Sequence, residues 1–525
     1  MSVVAAKLPS PSTMSLREKI AQLIFVRIGS NLPPIRVVEQ DEERIAELLE
    51  VCPIGGLLLF NGGPETKKSL ERLQNISKVP LLVASDVERG VGQQVKGYTL
   101  FPHAMAFEKL GNNSEAIVAD FARSIARESH DVGIHVTFGP VADVNTNPRN
   151  PIIATRAFSE TPTRAAELTK AYVEAAEAAN LRTTAKHFPG HGDTHQDSHD
   201  TLPSVTRSVS ELQARELVPF QAAIDADCSL IMTAHVAFPA IDSSGAPATL
   251  SAPILKTLLR DQMGFRGAVC SDSLLMAGVR DRFATEEEMA LAALTAGVDL
   301  LLDIKEAVPV VDFLCECVTK GRLDEARVNE AFERVWAIKQ KSLAGGPTQA
   351  TTSGDVRQDS IELAKRAARD AIEVTNSASP ALPFDPSKPV TAILLKPFET
   401  PIDPPEQPLA AALRERFGEV KYAQLGPKSD AAAYEAAAEL ARGAKQLVLA
   451  MIVRPAAWHA FGLRPEQKEF VQQILSERGD VVLASLGVPY ALQDYPDAAT
   501  RICTYSDVAV SQQALADFLS RSSVP

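Results

Sequence analysis

TTAKHFPGHGDTHQDSHD, residues 183–200, opens as a short apolar run and closes as a loop crowded with histidines and carboxylates. Its first part, Thr183–His191, has the length of a buried strand. Pro189 then removes a backbone donor, and Gly190 and Gly192 are poor helix formers, so the chain passes from a strand end into a loop. Seven further runs have the same form: Leu23–Ile28, Gly55–Phe60, Leu81–Asp86, His135–Asp143, Ser229–Val236, Gly267–Leu274 and Val298–Asp303. Helix-like segments separate them, among them Asp41–Val51, Glu115–Asp131, Thr163–Ala179, Ser210–Ala226 and Glu286–Ala296. Eight such runs over about 340 residues is the count of an α/β fold of the (β/α)8, TIM-like barrel type. A doubly wound open sheet gives a similar alternation. The polar residues Asp86, Asp143, His187, His235 and Asp272, however, gather at the C-terminal ends of their runs, where a barrel builds its reactive face.

Beyond the barrel, LAGGPTQATTSGDV (343–356) reads as a linker, followed by a helix expected over Ser360–Thr375. SPALPFDPSKP (379–389) marks a second boundary. Five more strand-like runs follow: Val390–Lys396, Val420–Gly426, Gln446–Val453, Asp480–Gly487 and Thr500–Tyr505, with helices at Asp430–Ala444 and Pro465–Gly479. They predict a smaller parallel α/β sandwich domain. No G-x-G-x-x-G follows its first strand, so nothing indicates a dinucleotide. The expected organisation is a barrel over 1–342, a linker over 343–384 and the sandwich over 385–525.

The chain has 525 residues, 45% hydrophobic and 23% charged, with 53 Lys+Arg against 66 Asp+Glu. A net charge of −13 argues against a nucleic-acid partner, which requires a basic face to displace counterions. No stretch approaches the ~20 apolar residues of a membrane span. The N-terminal segment lacks a signal-peptide apolar core. Six scattered cysteines in mostly apolar surroundings read as buried thiols, and the expected location is cytoplasmic.

Four of the nine histidines, His187, His191, His195 and His199, recur at four-residue spacing. On a helix that spacing would put them on one face and suggest a metal site. The proline and glycines between them rule out the helix, so no metal and no cofactor is expected. Histidines and carboxylates this dense suit a reactive loop better than a core.

KHFPGHGDTHQDSHDTLP closely resembles the signature of family 3 glycoside hydrolases of the β-N-acetylglucosaminidase type. IHVTFGPVADV (134–144), NPRNPIIATRAF (147–158), IMTAHVAFPAID (231–242) and VCSDSLLMA (269–277) agree with it in order and spacing. The resemblance covers about residues 15–340. It implies a retaining, exo-acting hydrolase releasing terminal non-reducing N-acetylglucosamine, with cell-wall muropeptides as the natural source. Asp272 matches the nucleophile, while Asp197 and His199 match the acid/base dyad. A histidine suits that task near neutral pH when a carboxylate orients it. Asp86, Arg156, Lys186 and His187 match sugar-binding positions; Asp143 and His191 read as supports for the loop, and His235 lies near the expected pocket. The partner is therefore a small carbohydrate, and the sequence carries no sign of oligomeric state.

The chain departs from the family pattern at Arg89, Val91 and Gln94, and at Ser273, where an acidic residue is frequent. Three alternatives remain: a phosphorylase using phosphate in place of water, a family 3 β-glucosidase or β-xylosidase, and a non-catalytic sugar-binding barrel. Asp197-Ser198-His199 speaks against the second, and the presence of Asp272 with His199 against the third.

Overall fold

A computed structural model describes residues 8–198, 201–343, 354–376, 381–400, 403–404, 406–457 and 459–520. The chain divides into two compact units. One comprises Met1–Thr99, Glu115–Asn147 and Ala157–Ser360; the other comprises Leu100–Ser114, Pro148–Arg156 and Ile361–Pro525. The linear boundaries read from the sequence did not anticipate the two short segments before residue 160 that join the second unit.

Eight parallel strands organise the first unit: β1 (Ile24–Ile28), β2 (Gly56–Leu59), β3 (Leu82–Ser85), β4 (Val136–Thr137), β5 (Arg182–Phe188), β6 (Leu230–Thr233), β7 (Ala268–Cys270) and β8 (Leu301–Leu302). Their spatial order is β7-β6-β5-β4-β3-β2-β1-β8. A parallel bridge between Cys270 and Leu300 completes the circle, with Ser271 N donating to Leu300 O at 3.0 Å. The result is the expected (β/α)8 barrel. Every strand residue is buried except Arg27, which is partly exposed. Most of these strands carry apolar runs rather than alternation, as strands covered on both faces do. Each large apolar side chain so buried contributes about 1.5–3 kcal/mol, while β5 also carries Arg182, Lys186 and His187.

The outer helices follow local rules. Glu286–Ala296 begins where the Thr285 hydroxyl accepts from Glu288 N, and its first turn holds Glu286, Glu287 and Glu288. Acidic groups there complement the positive end of the helix. The single helix expected over Ser210–Ala226 is two, Val209–Ala214 and Leu217–Asp225, with Arg215 out of helical conformation between them. Pro219 lies in the first turn of the second, where no amide donor is needed.

In the second unit, β9 (Glu373–Asn376), β10 (Val390–Leu395), β11 (Val420–Leu425), β12 (Gln446–Met451), β13 (Val481–Ser485) and β14 (Thr500–Cys503) form one sheet, ordered β11-β10-β12-β13-β14-β9. Alternate residues feed opposite faces: Ile393, Leu395, Leu447 and Leu449 pack on one, Ala392, Leu394, Val448 and Ala450 on the other. The helix expected to run to Thr375 ends at Asp370, and β9 pairs antiparallel with β14. Its Val374-Thr375 pair favours extended backbone, and the open edge of β14 supplies the ladder. The sheet is therefore parallel except at this edge. Among the described residues no helix is long and apolar enough to cross a membrane.

Candidate active site

Lys186 projects from β5 with its side chain only 3% exposed, so its ammonium requires local compensation. Two carboxylates supply it. Nζ lies 2.7 Å from Asp86 Oδ1 and 2.6 Å from Glu88 Oε1, both just past the end of β3. One cation thus fixes two acids, and Asp86 stays partly open to solvent, where it can accept from a ligand hydroxyl. Gln94, at one of the departures from the family pattern, donates to Asp86 O at 3.2 Å and accepts from Asn31 Nδ2 at 2.9 Å. An amide here steadies the Asp86 backbone without adding charge.

The next residue is held from below. His187 Nδ1 donates to Asp143 Oδ2 at 2.7 Å, so Nε2 is the nitrogen free to accept. Asp143 is fully buried and also accepts from His191 N at 2.6 Å. Burial raises its carboxyl, but the His187 and His191 groups against it outweigh this and hold it below the usual carboxylate range. The Lys186–His187 and Phe188–Pro189 peptide bonds are both cis.

From there the loop is stitched down. His191 Nδ1 pairs with Thr194 Oγ1 at 2.8 Å and Nε2 with Ser198 Oγ at 2.9 Å. Asn147 Nδ2 donates to Thr194 O at 2.7 Å. Asp193 accepts from Arg207 Nε at 2.8 Å. Two glycines permit close approach. A Cβ on Gly192 would stand 1.8 Å from Val144 O, and one on Gly278 would stand 3.0 Å from both Ser198 O and Thr201 O. The half-buried Asp197 accepts from Thr201 N at 3.2 Å through its backbone oxygen. His199, expected as the acid/base, lies outside the described residues.

Asp272 follows β7 and is half-buried, its Oδ1 accepting from Ser273 N at 2.7 Å. Burial pushes the nearby Cys270 thiol well up, the Asp272 carboxylate adds to this and the Lys186 ammonium opposes it. The two charged groups thus act with opposite sign on one buried sulfur at the end of β7. His235, at the end of β6 and fully buried, sets Nε2 3.0 Å from Ser273 O and Nδ1 2.7 Å from Thr249 Oγ1. A carbonyl only accepts, so Nε2 carries the proton. Ser273 Oγ donates to Asp303 Oδ2 at 2.6 Å, and Asp303 takes a two-pronged grip from Arg27 on β1.

Of the residues expected to bind sugar, Asp86, Lys186 and His187 lie in the first unit, where Lys186 pairs with Asp86 and His187 with Asp143. Arg156 falls in the Pro148–Arg156 segment of the second unit, in a turn where its Nη1 donates to Ile152 O at 2.8 Å. Sequence reading missed Glu88, Arg27, Asp303 and Thr249. Asp303 ends the eighth apolar run, as Asp86 ends the third, and that shared position was the available signal. Among the described residues no group of three or more His, Cys, Asp or Glu is placed to hold a metal ion.

The arrangement offers a carboxylate at one strand end, a buried ammonium flanked by acids, and a histidine-bearing loop on one barrel face. Comparison with known proteins points to one family. The glycosyl hydrolase family 3 N terminal domain matches residues 15–338. A protein named beta-hexosaminidase A from Pseudoalteromonas piscicida is 33% identical over 57% of this chain and 55% of its own length. A beta-N-acetylglucosaminidase/beta-glucosidase from Cellulomonas fimi is 30% identical over 62% of each. This chain thus spans little more than half the length of those two relatives. A beta-hexosaminidase from Idiomarina loihiensis is 35% identical over 51% of this chain and 82% of its own. The solved structure of a glycoside hydrolase family 3 beta-N-acetylglucosaminidase from Paenibacillus sp. str. FPU-7 aligns over 97% of both chains, with TM-score 0.85 and 28% identity. Taken with the barrel, the matched span of more than half the chain decides the matter: this chain belongs to glycosyl hydrolase family 3.

Proposed function

We propose that the protein is a retaining, exo-acting β-N-acetylhexosaminidase that removes terminal non-reducing N-acetylglucosamine, with muropeptides of the cell wall as natural glycosides and the cytoplasm as its location. The observation that carries the reading is the Asp272 carboxylate just past the end of β7, with the Lys186–Asp86–Glu88 cluster at the ends of β5 and β3 of the same parallel barrel. Asp272 attacks the anomeric carbon and forms a glycosyl ester as the bond to the leaving oxygen breaks. His199, oriented by Asp197, gives its proton to that oxygen. It then takes one from water as the water opens the ester, regenerating the carboxylate and releasing the sugar with its configuration retained. Asp86, Lys186 and His187 bind ring hydroxyls in this scheme. The relatives' names support the choice of sugar.

Turnover of aryl β-glycosides of N-acetylglucosamine, glucose and xylose, with and without phosphate, tests the proposal. The expected result is preference for N-acetylglucosamine and complete loss in Asp272→Ala. His199→Ala should slow substrates with poor leaving groups far more than activated aryl ones. Near-normal rates in Asp272→Ala refute the nucleophile assignment.

A further inference from the structure

Ser273 directly follows Asp272, and its surroundings hold it on several sides. Three of its polar atoms are engaged at once. Its N donates to Asp272 Oδ1 at 2.7 Å, its O accepts from His235 Nε2 at 3.0 Å, and its Oγ donates to Asp303 Oδ2 at 2.6 Å. The anchors are themselves fixed. His235 is fully buried and braced by Thr249, while Asp303 is 2% exposed and gripped by the Arg27 guanidinium, which also lies 4.7 Å over the Phe60 ring. The backbone on either side is tied to β8, with Leu274 N donating to Leu302 O at 3.2 Å and Leu302 N to Ser271 Oγ at 3.0 Å.

We infer that Ser273 is a positioning residue for the Asp272 carboxylate, matched to Asp303 so that hydroxyl and carboxylate form one clamp with Arg27. The inference rests on Asp272 as nucleophile. An acidic side chain at 273 would set a second carboxylate against Asp303, with a single guanidinium to serve both. A hydroxyl donates instead, and the hold of Asp303 and His235 on Ser273 aims the amide that fixes Oδ1. Reactive groups must be held to within a fraction of an ångström of productive geometry, so this anchorage acts on the rate of sugar transfer rather than on sugar binding.

The test measures steady-state kinetics on an aryl β-N-acetylglucosaminide with Ser273→Ala, Ser273→Thr, Ser273→Asp and the exchange Ser273→Asp/Asp303→Ser. Ser273→Ala should lower kcat about 10–100-fold, the usual cost of losing such a support, with KM within about twofold. Ser273→Thr keeps the hydroxyl and should recover most of the rate. Ser273→Asp should fall below Ser273→Ala, and the exchange should regain about tenfold over Ser273→Asp alone. Unchanged kcat in Ser273→Ala, or strict additivity in the exchange, overturns the inference. A crystal structure of Ser273→Ala decides it independently of substrate. A turned Asp272 carboxylate supports the clamp, and superposition of 271–275 on the parent refutes it even if the sugar assignment is wrong.

Discussion

Asp143→Asn is the sharpest perturbation of the site, because it keeps the shape and removes only the charge and one acceptor. Asp143 Oδ1 accepts from His191 N at 2.6 Å and Oδ2 from His187 Nδ1 at 2.7 Å, in a spot with no solvent exposure. An asparagine must turn its NH2 toward one of these donors. Facing His191 it opposes a backbone N–H that cannot move. Facing His187 it forces the imidazole to give up the Nδ1 proton and protonate Nε2, exchanging acceptor for donor at the open nitrogen. A lost charge-assisted bond and a stranded buried donor together cost about 2–4 kcal/mol. Thermal unfolding should show a fall of about 3–10 °C, and kcat/KM should drop about 10–100-fold. The folded carboxyl is held below its ordinary value, so its stabilisation is complete above the unfolded pKa near 3.9 and is lost as pH falls through the folded value. The stability gap between parent and variant is thus constant at neutral pH and narrows below about pH 4. Unchanged melting and kinetics at pH 7 would refute the account of how His187 is set.

Two further outcomes follow from burial and close packing. Gly192→Ala places a Cβ 1.8 Å from Val144 O and should cut activity at least tenfold with a lower melting temperature; normal kinetics would mean the loop re-forms elsewhere. Lys339 is fully buried with its Nζ on Gln22 Oε1, and burial pushes its amine down to about 7. The unfolded chain keeps that proton to about pH 10.4, so the penalty is full below pH 7 and fades as pH rises from there. Its upper bound is about 5 kcal/mol, offset by about 1–3 kcal/mol for the acceptor stranded on Gln22 in Lys339→Met. Urea unfolding should find Lys339→Met about 2 kcal/mol more stable at pH 6, with less advantage at pH 9; no gain at pH 6 counts against it.

The barrel was legible because parallel strands covered on both faces are mostly apolar, and short runs of strand length alternate with helical segments eight times along the chain. The strand-to-loop turn at Pro189 was legible for the same local reason. What escaped depended on partners far along the chain. Arg27 meets Asp303 across 276 residues, and Lys186 meets Asp86 across 100. No periodicity encodes such pairs. β9 was read as the end of a helix because four residues are too few to override the helical pattern before them, and only the edge of β14 decides their conformation. Arg156 was placed by motif alone, and motif says nothing about which unit a segment packs with.

Arg27 belongs to the first strand made and Asp303 to the end of the last, so the clamp on the Asp272 loop ties the two ends of the barrel's own construction. A growing chain that has reached residue 290 already contains Asp272, Lys186, Asp86 and the entire histidine loop, yet lacks the group that Ser273 and Arg27 both need. The clamp inferred above thus makes the alignment of Asp272 depend on the segment that follows the strand closing the ring.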